Sequence, residues 1–572
     1  MTGGGTVENT VTGKITGSVV VTGAAGSITN AGTITGNAGA DALVVKQGTI
    51  TNTGAIIGNS QSSNAVSIAQ TNGGVVTNSG SITNIAGKSF ATGVSVTNGT
   101  FNNQAGGTVS SFYNAVYLPG SLGVSVLNNA GKLESTASTV GSGAVEISSG
   151  GTVTNESTGV IIGAQQGILV NGTKDITITN KGVITGTAAV GLQLNGTTKA
   201  TVTNYGAING GMNLNKGESV LNVFTGSSIT GNVDAREGTD TLRLQGSGTG
   251  TYDSSYKNFE IFDVDAAGGT WTQTGTAAFT GGSTVTNGTL VANGTLTSTL
   301  AVKSGATLKG TGTVGATTVQ GTVAPGNSIG QLNVSGDLTI QAGSTYQVEV
   351  DPTGAGDKIA ATGAASITGG SLQVLAGAGK YNTSTEYVII TAPGGVSGSG
   401  FTGLSTNMPF LTPTVRYDPT QVVLTLKVSN IDFATIAQTG NQTAVGDAVQ
   451  PLGPGNPIWD AILPLSVADG RTALNALSGE VHAAAFGRLV DDSRHVREAM
   501  MERLRTNADV PEDGAVTLWA EAFGASGDLD ATTETVGTSR DIWGFFAGAE
   551  RALGSWRVGI LGGYQTANLD MS

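Results

Sequence analysis

Cysteine is absent from the 572 residues, aromatic side chains make up only 5% of them and charged side chains only 11%. The lack of cysteine excludes disulfides, thiolate metal sites and cysteine nucleophiles together. No apolar run reaches the roughly 20 residues of a transmembrane helix. The first residues carry neither the basic nor the apolar region of a signal peptide. A net charge of −13 argues against nucleic acid as a partner.

Glycine is abundant instead, with 91 residues, and the chain has 12 prolines. The glycines have no three-residue period, which excludes collagen. A hydrophobic content of 38% with few charges argues against general disorder. The composition therefore predicts a long all-β architecture with a core of small and β-branched side chains.

The first part of the chain repeats a pattern of an apolar residue, a polar residue, Asn, a Gly turn and a second apolar run. The repeated asparagines follow one another at intervals of 22 to 26 residues, and they are Asn30, Asn52, Asn78, Asn103, Asn129, Asn155, Asn180 and Asn204. Short alternating runs lie between them, which predicts about three strands in each repeat. Stacked units of this kind predict a parallel β-helix solenoid, in which each coil rises by roughly 4.8 Å.

The recurrent asparagines have two interpretations. Their side-chain amides could bond to the same residue in the coils above and below, as a structural ladder. Alternatively, Asn could stand there because it tolerates a left-handed turn. Neither interpretation implies a binding site, and the sequence does not choose between them.

Composition divides the chain into four parts. We expect β-helix repeats over 1–230, a C-terminal β-helix region with larger side chains over 231–430, a helical linker over 431–513 and amphipathic strands over 514–572. Within the linker, the spacing predicts a helix over 469–505 with an apolar stripe of Leu474, Leu477, Val481, Ala485, Leu489, Val496 and Leu504. The strands are typical of an outer-membrane barrel, with membrane-strand aromatics at Trp519, Trp543, Phe545, Phe546, Trp556 and Tyr564.

This order of parts resembles the bacterial autotransporters of type V secretion. The resemblance is carried by GTVAPGNSIGQLNVSGDLTIQAGSTYQVEVDPTGAGDKI (321–359), which is similar to the family's passenger-associated repeat, by the helical segment 477–504 and by LWAEAFG (518–524). It implies a passenger that is carried to the cell surface by its own C-terminal barrel, with part of 469–505 in the barrel pore. Its implied partners are outer-membrane lipid and the barrel assembly machinery. Three strands cannot close a barrel, so we expect the sequence to be a fragment that lacks a signal peptide and most of the barrel.

Catalytic groups are sparse. The only histidines, His482 and His495, lie in the predicted helix, so a Ser-His-Asp triad cannot be assembled within 1–430. Pectin-lyase-like β-helices degrade polysaccharides with clustered carboxylates and a base, and here one mixed cluster contains Asp240 and Arg243. A polar turn explains that cluster better. The sequence therefore predicts no enzymatic activity, no cofactor, and no catalytic or metal residues.

The long, regular surface rich in Thr, Ser and Asn predicts an adhesin or aggregation factor, as in virulence-associated surface proteins. Many weak contacts on such a face would suit host or bacterial glycans, or self-association. The alternative is a polysaccharide lyase-like enzyme that reaches the cell surface by the same secretion route.

Overall fold

The computed structural model describes residues 5–571 except 23–25, 60–63, 69–72, 86–89, 120–123, 140, 149, 189, 197–198, 215, 380, 429–431, 506–513 and 536. The chain is all-β over its first three quarters, where it winds as a parallel β-solenoid. A short helical segment and three antiparallel strands follow. The fold class predicted from the sequence is confirmed.

The solenoid begins with three parallel sheets, and each coil adds one strand to each sheet. Face 1 consists of Thr6–Asn9, Gly26–Asn30, Gly48–Asn52, Val75–Asn78, Thr100–Asn103, Ser125–Asn129, Gly151–Asn155, Ile176–Asn180, Ala200–Asn204, Ser219–Phe224 and Thr241–Gln245. Face 2 consists of Lys14–Thr16, Thr33–Thr35, Ala55–Gly58, Ser81–Asn84, Thr108–Ser111, Lys132–Ser135, Val160–Gly163, Val183–Gly186, Ala207–Asn209 and Ser228–Thr230. Face 3 consists of Val19–Val21, Leu43–Val45, Asn64–Ile68, Thr92–Val96, Asn114–Leu118, Gly143–Ile147, Gln166–Val170, Leu192–Leu194, Met212–Asn213, Val233–Asp234 and Tyr256–Lys257.

Side-chain alternation explains why these strands form coils. Ile28 and Ile50 point inward, are buried and pair in register, whereas Thr29 and Thr51 point outward from the same strands. Each coil therefore stacks the same apolar position on the coil before it, and the core runs along the solenoid axis. Glycine is required where the turns touch, because a Cβ on Gly54 would lie 2.1 Å from the carbonyl oxygen of Gly32.

Beyond face 3 the solenoid continues with strands of 2 to 13 residues that remain in the sheet of face 1. These strands are Thr249–Tyr252, Ile261–Gln273, Thr276–Ala277, Ser283–Ala292, Thr295–Leu296, Leu300–Val302, Thr307–Gly310, Thr313–Val319, Thr322–Pro325, Gln331–Ile340, Thr345–Val350, Lys358–Ala361, Ala365–Ile367, Ser371–Ala376, Ser384–Thr391, Val396–Ser397, Gly403–Thr406, Leu411–Asp418 and Gln421–Val428. The last two strands pair antiparallel with each other, and Gln421–Val428 also pairs antiparallel with Ser384–Thr391. This change from parallel to antiparallel pairing covers the end of the solenoid.

The helical segment contains α1 (Gly440–Val449), α2 (Pro457–Ile462), α3 (Val467–Ser478) and α4 (Glu480–Arg505), with 3-10 turns at Phe433–Ile436 and Gln450–Leu452. Its small core contains Phe410, Phe433 and Trp459, whose rings meet edge to face. Within the described part of the chain, none of the helices combines the length and hydrophobicity that a membrane-spanning helix needs.

The single helix predicted over 469–505 is wrong, because the chain breaks between α3 and α4. Gly479 has φ +70°, the left-handed conformation that ends a helix. Because the helix ends at this glycine, the predicted stripe is not one continuous buried face. Leu474 is buried in the small core, whereas Leu477, Val481, Leu489 and Leu504 are exposed.

Candidate functional site

A column of buried asparagines runs along the edge of face 1. Asn30 Nδ2 donates to Asn52 Oδ1 at 2.7 Å, and Asn52 Nδ2 donates to Asn78 Oδ1 at 2.8 Å. The same bond recurs at 2.7 to 2.9 Å along Asn9, Asn30, Asn52, Asn78, Asn103, Asn129, Asn155, Asn180 and Asn204. The amides therefore lie in register, one per coil, and the column includes Asn9, which the sequence pattern had missed.

The asparagine column is internal to the fold. Asn52 Nδ2 also donates to the carbonyl oxygens of Gly54 and Ser81, both at 3.2 Å. Its donors and its acceptor are thus used within its own turn and by the neighbouring coils, which leaves little for a ligand. The column stops after Asn204, because Val223 occupies the next register position.

The mixed cluster near Asp240 does not converge on an open cleft. Asp240 is buried, and its Oδ1 accepts a hydrogen bond from the Ser219 backbone N–H at 2.7 Å. The pKa of this carboxyl is raised to about 7, mainly because burial disfavours the charged form; hydrogen bonds from Ser219 oppose the rise and the charge of Glu260 adds to it. Arg243 donates through Nε to Asp263 Oδ2 at 3.0 Å instead of facing Asp240. Among the described residues, no group of three or more His, Cys, Asp and Glu side chains could hold a metal ion.

Both histidines lie on α4, far along the chain from the solenoid strands. The His495 ring stacks on Phe523 of the C-terminal strands, with 4.8 Å between ring centroids. Its Nε2 is buried and makes no hydrogen bond within the described residues. His482 lies in the first turn of α4, and its backbone N–H donates to the Gly479 carbonyl oxygen at 3.0 Å.

The three C-terminal strands, Thr517–Leu529, Thr538–Leu553 and Trp556–Met571, form one antiparallel sheet with two different faces. Trp543, Phe545, Trp556 and Tyr564 are all exposed. Phe546 is buried on the opposite face, where its ring stacks on Phe523 at 4.9 Å. Trp519 lies on that same face and, with Met500 of α4, lines a cavity of about 440 Å³. The six predicted aromatics thus divide between an outward face and a face that packs against α4.

Ion pairs join α4 to the inner face of this sheet. Glu550 is buried, and its Oε1 accepts hydrogen bonds from Arg503 Nε of α4 at 2.8 Å and from Arg557 of the next strand at 2.7 Å. Arg540 forms a second pair with Asp492 of α4 at 2.7 Å. Because these charges are largely removed from water, the Arg503–Glu550 and Asp492–Arg540 pairs fix the position of α4 on the sheet.

Face 3 carries a group of side chains that the sequence analysis did not single out, which we call the aromatic–amide patch: Phe90, Tyr113, Asn114, Glu146 and Asn171. The Phe90 and Tyr113 rings are 5.2 Å apart between centroids. Glu146 accepts hydrogen bonds from Asn114 Nδ2 at 2.7 Å and from Asn171 Nδ2 at 3.4 Å. Phe90, the adjacent Tyr113 and Asn114, Glu146 and Asn171 lie on successive coils and meet only through their register, so the strand spacing was the only available signal.

The C-terminal strands provide the decisive comparison. Residues 518–572 match the family model described as "Autotransporter beta-domain". This C-terminal segment is similar to the autotransporter β-domain. This finding, together with the β-solenoid, confirms the resemblance predicted from the sequence.

Two curated proteins to which this chain is similar are both named "Extracellular serine protease", from Serratia marcescens. One is 26% identical over 288 residues and the other is 26% identical over 287 residues. Each match covers 40% of this chain and 27% of the relative, so the chain spans about a quarter of the length of the curated relatives it matches.

The prediction that the protein has no enzymatic activity is contradicted by these relatives, whose names record a protease. The prediction relied on the lack of histidine in 1–430, an argument that covers only triads built from those residues. The autotransporter β-domain assigns the protein to the bacterial outer membrane, with the passenger at the cell surface, as predicted.

Proposed function

We propose that the β-solenoid of this autotransporter is the binding part of a surface adhesin or aggregation factor. The observation that supports this function is the outward polar surface, which repeats with the coil. Asn102 and Asn128 bond to each other across adjacent coils at 2.9 Å, as do Asn171 and Asn195. Each pair holds two amide groups on successive coils, at the inter-strand spacing of roughly 4.8 Å, so a repetitive partner can make the same contact on both coils.

Glycans on host or bacterial surfaces, or a second solenoid, have the repetitive polar chemistry that fits this surface. Each single hydrogen bond contributes little in water, about 1 kcal/mol. A long solenoid compensates because many contacts add up once the first has formed. Binding of this type needs no cofactor and no deep cavity.

The test uses fluorescent beads coated with the purified 572-residue chain. We expect the beads to attach to cell layers or to aggregate with one another, and we expect beads coated with the heat-denatured chain to do neither. If beads coated with the native chain showed no attachment and no aggregation, the proposed function would be wrong.

A second candidate function is peptide-bond hydrolysis by a serine nucleophile, which is favoured by the names of the two relatives. In this chain a histidine base could come only from His482 or His495. A fluorophosphonate probe, which labels activated serines, tests this candidate on the intact chain. Labelling that the His495→Ala variant abolishes would support it, whereas an unlabelled chain that also leaves casein intact would refute it.

A further inference from the structure

The aromatic–amide patch contains the most unusual backbone position on the solenoid surface. Phe90 has φ +71°. This left-handed conformation is unfavourable for a bulky side chain, and glycine adopts it far more readily. Its side chain is 64% exposed, so burial in the core does not explain the conformation. Strained residues of this kind persist where the surrounding fold holds them in place, and they concentrate at binding sites.

The neighbouring aromatic ring is held in a fixed orientation. Tyr113 Oη donates to the Gly141 carbonyl oxygen at 3.1 Å, and this bond orients the ring that lies against Phe90. The two rings stand at the starts of successive face 3 strands, since Thr92 pairs in register with Asn114. Together they form an apolar platform in which the Phe90 ring is exposed.

A directed chain of amides ends beside this platform, at Glu146. Asn213 Nδ2 donates to Gln193 at 2.8 Å, Gln193 Nε2 donates to Asn195 at 2.6 Å, and Asn195 Nδ2 donates to Asn171 at 2.9 Å. Asn171 then donates to Glu146, which completes the chain. The amide orientations are therefore fixed, and the carboxylate is the acceptor on which the donors converge.

Partial burial makes Glu146 a strong acceptor for further hydroxyl groups. Desolvation raises the pKa of its carboxyl, while the amides of Asn114 and Asn171 oppose that rise. Its two oxygens can accept more hydrogen bonds than these two amides supply. A ligand that brought hydroxyl donors would fill the remaining positions, whereas an anionic ligand would be repelled.

We infer that the aromatic–amide patch binds a neutral pyranose oligosaccharide, with one sugar ring stacked on Phe90 and with sugar hydroxyls bonded to Glu146 and the amide chain. The apolar C–H face of a pyranose fits an aromatic ring, and its hydroxyls are the donors that Glu146 lacks. The amides extend across the coils of Glu146, Asn171 and Asn195, so the site accommodates several sugar units in a row. This inference rests on the proposed function in taking the solenoid as the binding part.

The experiment titrates the full 572-residue chain with cellohexaose, maltohexaose and N-acetylchitohexaose, with hexagalacturonate as the anionic comparison. Saturation-transfer NMR measures binding and calorimetry measures unfolding. We expect at least one neutral hexasaccharide to bind and hexagalacturonate to bind more weakly. If no neutral hexasaccharide bound at about 10 mM, or if hexagalacturonate bound best, the inference would be overturned.

Phe90→Asn separates a binding role from a structural role, because Asn tolerates a positive φ better than Phe does. We expect this variant to bind the sugar at least about tenfold more weakly and to unfold at a temperature equal to or above that of the wild type. Glu146→Gln should also weaken binding. Tyr205→Ala is the matched control, because Tyr205 is a second exposed aromatic that packs on Phe224 at 4.1 Å, away from the patch. Unchanged sugar affinity in Phe90→Asn would overturn the inference.

The bead assay and the sugar titration can reject the adhesive function and the sugar site independently of each other. Beads that attach or aggregate as strongly with Phe90→Asn as with the wild type, together with a chain that binds no hexasaccharide, would reject this site and leave the adhesive function standing. Sugar binding without attachment or aggregation would reject the adhesive function and keep the site.

Discussion

Asn129 Nδ2 donates a hydrogen bond to Asn155 Oδ1 at 2.8 Å, although the two residues are 26 positions apart in the chain. One sequence repeat thus corresponds to one coil of the solenoid. Because both side chains are buried, each amide depends on its neighbours in the column for its hydrogen bonds. The repeated Asn therefore fixes the register of the coils as well as their spacing.

Removal of one amide from the middle of the column should destabilise the solenoid. Asn129→Ala leaves the Asn155 acceptor without its partner and takes the acceptor from Asn103, whose amide donates to Asn129 at 2.8 Å. Two buried groups that lose a partner should cost about 2–4 kcal/mol. Urea titration of the full chain measures the loss.

The adjacent residue provides the control for this prediction. Asn128 points to the outside of the same strand and bonds to Asn102 at 2.9 Å where water can replace it. Asn128→Ala should therefore cost less than about 1 kcal/mol. Equal losses for the two variants would show that the buried column does not stabilise the coils.

The carboxyl of Asp240 should make the solenoid less stable as the pH rises. Its pKa is about 7 in the fold, because burial disfavours the charged form, and about 3.9 in an unfolded chain. The contribution of this carboxyl to the free energy of unfolding is fully present below pH 4 and is lost as the pH rises from 4 to 7. The loss is about 1.4 kcal/mol for each unit by which the two pKa values differ. Unfolding temperatures at pH 4, 6 and 8 measure the effect.

Asp240→Asn should remove this part of the pH dependence. The variant keeps the size of the side chain and an oxygen for the Ser219 N–H. We expect a smaller drop in unfolding temperature between pH 4 and 8 than in the wild type. Asp357, whose pKa burial raises to about 6, contributes a remaining drop of the same sign. A variant with the full wild-type drop would exclude Asp240 as a source.

The ion pairs of Glu550 should hold α4 against the C-terminal sheet. Glu550→Gln removes the charge that Arg503 and Arg557 share, and breaking a buried pair in this way costs about 3–5 kcal/mol. We expect faster amide hydrogen exchange over the last two turns of α4. Arg494→Ala breaks only an exposed pair with Glu498 and should leave the exchange unchanged. If Glu550→Gln and Arg494→Ala showed equal amide hydrogen exchange in α4, the role of Glu550 in holding this helix on the sheet would be contradicted.

Close approach of the turns should make Gly182 intolerant of a side chain. A Cβ there would lie 2.1 Å from the Gly159 carbonyl oxygen of the preceding coil, so Gly182→Ala must push two coils apart. We expect a loss of about 1–3 kcal/mol. Gly487→Ala on α4 meets no atom within 4 Å and should stabilise that helix by up to about 1 kcal/mol. If calorimetry showed that both variants change the unfolding temperature in the same direction, this explanation would be contradicted.

The period of the repeated Asn was enough to predict the solenoid, because a stacked fold converts a sequence interval directly into a coil. The break at Gly479 was missed, because a glycine inside an apolar stripe can continue a helix or end it, and only its φ of +70° decides. The Trp519 and Phe546 side chains were grouped with the other membrane-strand aromatics, because the sequence does not reveal where α4 covers the sheet.

The aromatic–amide patch was beyond prediction for a different reason. In the sequence Glu146 stands apart from its partners, because Asn114 and Asn171 are 32 and 25 residues away. They meet because face 3 places Val116, Val145 and Ile168 in one register. The strained φ of Phe90 has no sequence signature at all.

Attachment and self-aggregation of beads coated with the native chain test the central claim most directly, because they require the solenoid surface itself. The account predicts that native coatings attach or aggregate at least several times more often than denatured coatings of equal density. Equal counts for the two coatings would contradict the claim that this solenoid is a binding surface.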